Sequence, residues 1–465
     1  MTTTGNTQHN VSVTHSEELE AALASATAGT TIELEDGSYT KQGPFTMEDV
    51  HGTAAHPITI KAKNQGKATI TGEAFFQFKQ CSYIQVEGLQ FTNHGNQAVL
   101  LDGSHTMTII RNTFALKDDG SEVHYLAVKG AGSHHNRIAY NEFGPKSSHG
   151  PVIVYDGDGK QISQYDVIEY NYFHDVGPRI PNGLEVIRLG LSFVSMSHGY
   201  IKVQHNLFER CDGDPEVMSV KSCSNQIRYN TFRHCQGQVT ARHGHNNRFY
   251  GNFFLGDGVK EGVGGFRIYG NDHKIFNNYF DGLTFDAINI DGGNFDGGTE
   301  GNPPSPTVEQ LRKHWKVYRA EAVHNTIVNC TTGIVIGRRD PMAPVDSRVA
   351  NNLVVNTKGI LYNELKPSNT VFEGNIGFGA TMSNSSRTES EIQEVDPLLI
   401  QYGGLYKLSH LSPAVDSAVI PYPYVEEDMD GQERLVPDVG ADEVSQAPST
   451  RKPLTVEDVG PNALN

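Results

Sequence analysis

The sequence has no basic stretch leading into an apolar run, and no segment long and apolar enough to span a bilayer. Its first residues, MTTTGNTQHNVSV, show no signal peptide. The expectation is a protein with no membrane partner, working inside the cell or supplied as a mature form behind a start Met. Positive charge is scarce, with 37 Lys and Arg against 54 Asp and Glu, a net −17. Non-specific nucleic-acid binding rests on neutralising phosphates, so nucleic acid drops out as a partner class. An anionic substrate does not, provided its cleft is locally basic. The five cysteines have no CxxC or zinc spacing, and an odd number cannot all pair internally. They read as buried free thiols. Cys211, Cys223 and Cys235 fall twelve apart as a by-product of strand spacing.

Glycine is plentiful (48), and asparagine recurs in one phrase, Asn-x-aromatic or aliphatic. It appears as NTF at 112, NEF at 141, NYF at 171, NLF at 206, NTF at 230, NFF at 252, NYF at 278, NTI at 325 and NLV at 352, with a looser NIG at 375. All steps but one lie between 22 and 35 residues, and short alternating segments such as IRYN and HKIFNN precede the phrase. A unit of this size is too short for a domain and suits one coil of a solenoid. The fold class expected is all-β, a single-stranded right-handed parallel β-helix with about three short strands per coil. Each Asn would sit at a bend and bond the backbone of the next coil, forming a ladder, and the residue two places on would point inward.

Near the N-terminus, SEELEAALASA predicts a short capping helix with Ser16 as N-cap and Glu17 and Glu18 in its first turn. The one long step, 47 residues, holds NPPSPTVEQLRKHWKVYRAEAV. It predicts a helical excursion near 305–320, with Ser305 as N-cap, Pro306 first in the helix and the only Trp, Trp315. This excursion is a cleft wall or a surface decoration. The β-helix domain is expected over 1–444, with 445–465 a loosely attached tail.

The chemistry concentrates in DPEVMSVKS, Asp214 to Ser222. On a strand, Asp214 and Glu216 point to the same face, and Pro215 between them suits a strand start. Two adjacent carboxylates call for a cation, and hard oxygen donors favour Ca2+ over zinc, with Mg2+ and Mn2+ left open. Asn182, 32 residues before Asp214 and about one coil back, is the candidate third ligand. Val217 and Val220 are both expected inside although three apart, so a bulge near Met218–Ser219 is required. That slip turns Lys221 outward beside Glu216. Arg242, 21 residues later, would point out and stack over Lys221.

A metal site, an amine and a guanidinium along one groove fit removal of the C5 proton of a uronic acid. A cation neutralises the sugar carboxylate and makes that proton removable. Like charge leaves part of a nearby lysine neutral and able to take it. Arg242, or water it positions, must then serve the leaving oxygen at C4.

DPEVMSVKS, followed by ARHGHNN and GGFRIYGNDHKIFNNYF, resembles polysaccharide lyase family six, which contains alginate lyases and chondroitinase B. The likeness runs from about residue 15 to PDVGADE at 437–443. It implies a parallel β-helix and a calcium site on Asn182, Asp214 and Glu216, with Lys221 as base and Arg242 as acid. Asp214 stands where the family pattern leads one to expect Glu. GGFRIYG is similar to the alginate-lyase branch, in which Arg267 would hold a second uronate carboxylate. His243 and Arg188 are further substrate-contact candidates. Arg188 could instead pair with Glu185, and His243 could bond backbone at a turn. The partner implied is an anionic polysaccharide, alginate, lying along an open groove; block preference and internal versus terminal cleavage stay open. Oligomeric state is left open. Dermatan sulfate and galacturonan are the competing substrates, and a non-catalytic carbohydrate-binding β-helix is the competing class.

Overall fold

A computed structural model describes residues 9–355 and 358–464; the first eight residues read for a leader lie outside them. The fold is a parallel β-helix. The chain divides into two compact units, 1–214 with 454–465, and 215–453.

In the first unit, strands Thr108–Ile110, Thr113–Phe114 and His124–Lys129 form one coil, each belonging to a different parallel sheet. The next coil repeats them as Arg137–Ala139, Glu142–Phe143 and Ile153–Gly157, paired in parallel with a single slip between Val128 and Lys129. The second unit does the same with Gln226–Arg228, Thr231–Arg233 and Gly237–His243, followed by Arg248–Tyr250, Phe253–Leu255 and Val263–Ile268. Among the described residues, the one antiparallel strand pair is the hairpin Leu399–Tyr402 with Leu405–Leu408.

The Asn phrase builds the ladder expected of it. In the first unit, the amide N–H groups of Asn112, Asn141 and Asn171 each donate to the side-chain oxygen of the next Asn at 2.9 Å. In the second unit, Asn230, Asn252, Asn278, Asn325, Asn352 and Asn375 continue the pattern at 3.0–3.1 Å. The residue before most rungs is left-handed, as at Arg111, Tyr140 and Tyr170 (φ 54–57°). That conformation makes the sharp bend and costs strain that the buried amide bonds offset. Inside, Phe91, Phe114, Phe143, Phe173 and Phe208 stack with centroids 4.6–5.0 Å apart. Burying each ring contributes about 2–3 kcal/mol. Asn278→Ala would strip the acceptor from the buried N–H of Asn252. The expected cost is about 3 kcal/mol, read as a lower urea midpoint; an unchanged midpoint would make the ladder incidental.

Three expectations are corrected. The first helix is Ser16–Ser25, but His15 is its N-cap, its Nδ1 accepting from Glu18 N–H at 3.4 Å. Ser16 Oγ instead accepts from the amide of Thr40 at 2.8 Å. The excursion holds one helical turn, Val308–Leu311, capped by Thr307 in a capping box with Gln310. It goes no further because buried Trp315 turns back, donating Nε1 to Gln310 O at 2.8 Å and packing on Phe295. Nor is the tail loose over residues 454–461. Leu454 and Val459 pack with Leu207 and Tyr172, and Arg111 donates to the carbonyl of Pro461 at 2.6 Å. All five cysteines are buried thiols outside any disulfide.

Candidate active site

In the second unit, the strand Glu216–Lys221 lies beside Gly237–His243, and the pairing slips twice. The first slip leaves Val217 extra. At the second, the partner strand jumps from Ala241 to His243, so Arg242 is itself the bulged residue. Met218 and Val220 are therefore the inward positions, fully buried above Val239 and Ala241. Lys221 faces out, half-buried, as expected, but His243 lies opposite it rather than Arg242. A bulge re-aims its side chain, and Arg242 reaches Glu216 instead, Nε to Oε1 3.5 Å.

The outward row reads Ser219, Thr240, Arg267, Asn289 on successive coils. Glu216 is buried against it. Its carboxylate accepts from Ser219 Oγ at 2.6 Å and pairs with Arg267 Nη2. Burial alone would raise the Glu216 pKa. The positive charges of Arg267, Arg242 and Lys221 outweigh it and hold the group ionised. Several polar atoms on this face are shielded and have no hydrogen-bond partner among the described residues. They are Arg242 Nη1, Arg267 Nε, Thr240 Oγ1 and Asn289 Oδ1. Orphaned buried polar atoms cost free energy, so their concentration on one outward face marks a ligand surface.

The excursion walls this face. His314 stacks on Tyr269 at 4.1 Å and bonds Asp340 through Nδ1 at 2.8 Å. Burial, and then the charge of Arg242, push its pKa down to about 4. Burial first, then Arg242 and Lys221, also hold the His243 imidazole well below its usual range. Both rings are neutral at pH 7. Ser219, Tyr269, His314 and Asp340 escaped the sequence reading. Ser219 and Tyr269 lay within the quoted DPEVMSVKS and GGFRIYG, whereas His314 and Asp340 are brought there by the excursion and by coil stacking.

His273, fully buried beneath this region, accepts from Asn247 N–H through Nδ1 at 3.1 Å and bonds Tyr269 O through Nε2. Burial lowers its pKa to about 4. It therefore gains its proton on unfolding, so its stabilisation is complete above about pH 6.5 and is lost as pH falls towards 4. Between pH 7 and pH 4.5 the unfolding free energy is expected to drop by about 3 kcal/mol from this residue. In urea titrations His273→Gln should flatten that slope; an equal slope would refute the assignment.

In the first unit, the Asp214 carboxylate is buried and accepts from the amides of Gly183 and Leu184 at 2.7 and 3.3 Å. It is thus anchored to the loop that carries exposed Asn182. Arg188 pairs with Asp156 at 2.8 Å, on the facing strand, and not with Glu185. Among the described residues, the cluster of three carboxylates whose ligand atoms converge is Asp428, Asp430 and Asp442. Lys407 pairs with Asp430 and Asp442 and offsets part of that charge.

Comparison with known proteins bears on this face. No curated protein matches the chain. Among solved structures it is similar to the R241A mutant of the PL6 family alginate lyase AlyGC, with 23% identity and TM-score 0.76, covering 95% of this chain and 59% of that one. The chain thus spans about three fifths of that protein's length. It is also similar to the PL6 polysaccharide lyase Pedsa3628 from Pseudopedobacter saltans (25%, TM-score 0.65, 75% of this chain and 85% of that one). A mannuronic acid specific family 6 lyase from human gut microbiota gives 24%, TM-score 0.71, 83% and 91%. The chondroitinase B family model matches residues 13–396, most of the sequence and all the candidate catalytic, substrate-binding and metal-ligating residues. The chain belongs to the chondroitinase B family, polysaccharide lyase family six.

Proposed function

We propose that the protein is a polysaccharide lyase that cleaves alginate by β-elimination. The observation that carries this reading is the outward face itself, where Lys221, Arg242 and Arg267 surround one buried carboxylate among unpartnered polar atoms. Three cations on a protein of net charge −17 supply the local basicity that a polyuronate needs. Related solved structures are named as alginate lyases, and one shows such an enzyme in complex with a trisaccharide.

In this reading Lys221, as the neutral amine, takes the proton from C5. The C4–O4 bond breaks as the C4=C5 double bond forms, and O4 receives a proton. Arg242 suits that step because Nη1 is an uncommitted donor and burial lowers the pKa of its guanidinium. Arg267, tied to Glu216 through Nη2, keeps Nε for a sugar carboxylate. Neutral His243 and, in the first unit, Arg188 are proposed as further substrate contacts.

Asn182, Asp214 and Glu216 are proposed to hold Ca2+. Two carboxylates and a carboxamide, without thiol or imidazole, suit a hard cation. Glu216 would share its oxygens between the ion and Arg267. When bound, the ion withdraws charge from the uronate carboxylate.

The test is absorbance of the new double bond on alginate, dermatan sulfate and polygalacturonate, with and without EDTA. Alginate is expected to respond, chelation to suppress the rate by about 10²-fold or more, and added Ca2+ to restore it. Dermatan sulfate as the sole substrate would move the assignment to the chondroitinase branch. A rate indifferent to EDTA would remove the metal from the proposal.

A further inference from the structure

The second unit has another concave site, on a different sheet of the same coils. Its floor is the outward face of strands Gln226–Arg228, Arg248–Tyr250, Lys274–Phe276 and Glu321–Val323. Its roof is the segment Tyr422–Asp428, where Pro423 restricts the backbone between two tyrosines. The cavity measures about 780 Å3, and neither the strand Glu216–Lys221 nor the Thr240–Arg267–Asn289 row lines it. That volume lies within the range of small-molecule sites, about 300–1,000 Å3.

The lining is aromatic and of mixed charge, with Arg228, Arg248, Lys274 and Arg451 facing Glu321, Glu426, Glu427 and Asp428, and most of it is fixed. Tyr250 stacks on Phe276 at 4.7 Å. The Lys274 ammonium lies 3.9 Å from the Tyr424 ring centroid and 3.0 Å from Glu321, so one acid already balances it. Arg451 is balanced by Glu427. Asp428 is turned away, accepting from the amides of Asp430 and Gln432 at 2.9 and 2.8 Å. Arg248 is different. It is exposed, stands in register beside Lys274, and has no acid within ion-pair distance among the described residues. Glu426 stands at the rim with its side chain in solvent.

We infer that this cavity is a second, non-catalytic binding site for a uronate unit of an anionic polysaccharide. A planar guanidinium binds a carboxylate through two parallel hydrogen bonds. Tyrosines supply apolar ring surface for the sugar C–H groups, and the hydroxyls of Tyr250, Tyr422 and Tyr424, which already donate to Gln226, Glu373 and Glu321, are left to accept from sugar O–H groups. Held here, one stretch of polymer raises the local concentration of the rest at the catalytic face. The inference rests on the reading of the substrate as a polyuronate.

The experiment uses the full chain carrying Lys221→Ala, so that polymer is not consumed, in affinity electrophoresis through gels containing alginate, dextran sulfate or neutral dextran. Retardation by alginate is expected, and adding Arg248→Glu should weaken apparent binding about tenfold or more. In a background with Lys221 intact, Arg248→Glu should leave cleavage of trimers and tetramers at the wild-type rate while raising KM on polymer. Unchanged retardation by Arg248→Glu, or equal loss on dextran sulfate and alginate, would overturn the site. Retardation sensitive to Arg248 in a protein that yields no unsaturated product would sink the lyase reading and leave the binding site standing. Arg248 is exposed, and matching melting curves verify that each variant is folded.

Discussion

Lys221→Ala is expected to lower kcat on alginate by about 10³-fold or more, at the upper part of the range for loss of a positioned general base, with little change in the melting temperature. The side chain stands on the outward face at the end of its strand, while the core is filled by Met218 and Val220. Truncation therefore opens no interior cavity. Lys221→Arg is the sharper variant. It keeps the positive charge that helps hold Glu216 ionised, yet a guanidinium cannot be deprotonated at working pH. If Lys221 acts by charge alone, the Arg variant keeps most of the activity; if it takes the proton, that variant is as inactive as Ala. Retained turnover in Lys221→Arg would remove the base from the mechanism.

The second large effect is on stability. Among the described residues, Glu216 is the carboxylate that ion-pairs with both Arg267 and Arg242 on this face of the second unit, and Lys221 adds to the positive charge around it. Glu216→Gln removes the counter-charge and leaves two guanidiniums crowded in a shielded place. Breaking a buried pair from one side costs about 3–5 kcal/mol, and the unfolding midpoint should fall accordingly. Glu216→Gln combined with Arg267→Met should recover part of the loss, because the uncompensated cation has gone. In a double-mutant cycle the coupling is expected to exceed about 1 kcal/mol. Additive losses would show that Arg267 and Glu216 are neighbours without energetic dependence.

The repeated Asn phrase was legible because this ladder keeps one residue type at one place in coil after coil. The outward aim of Lys221 was expected from a bulge near Met218–Ser219 with Val217 inside; the slip falls instead at Val217, and plain alternation from Met218 and Val220 turns Lys221 outward. Its partner on the next strand was not legible, because the slip that matters falls at Arg242 itself, and a bulge leaves no mark in residue type. The wall contributed by His314 and Asp340 was hidden for another reason. The 47-residue step announced an excursion, but only folding shows that it returns onto Tyr269. Ser16 misled because its hydroxyl serves Thr40, a partner 24 residues away that a local capping rule does not see.

The rungs of the ladder have an evolutionary consequence. Each Asn addresses only the coil beside it, so within either unit a whole turn of the solenoid is an interchangeable part. Duplicating or deleting one resizes the surface offered to a long polymer in steps of one coil, and neighbouring turns meet the same amide they met before. Gains and losses in this lineage should therefore come in whole turns, and partial ones should appear as loops thrown out at the bends.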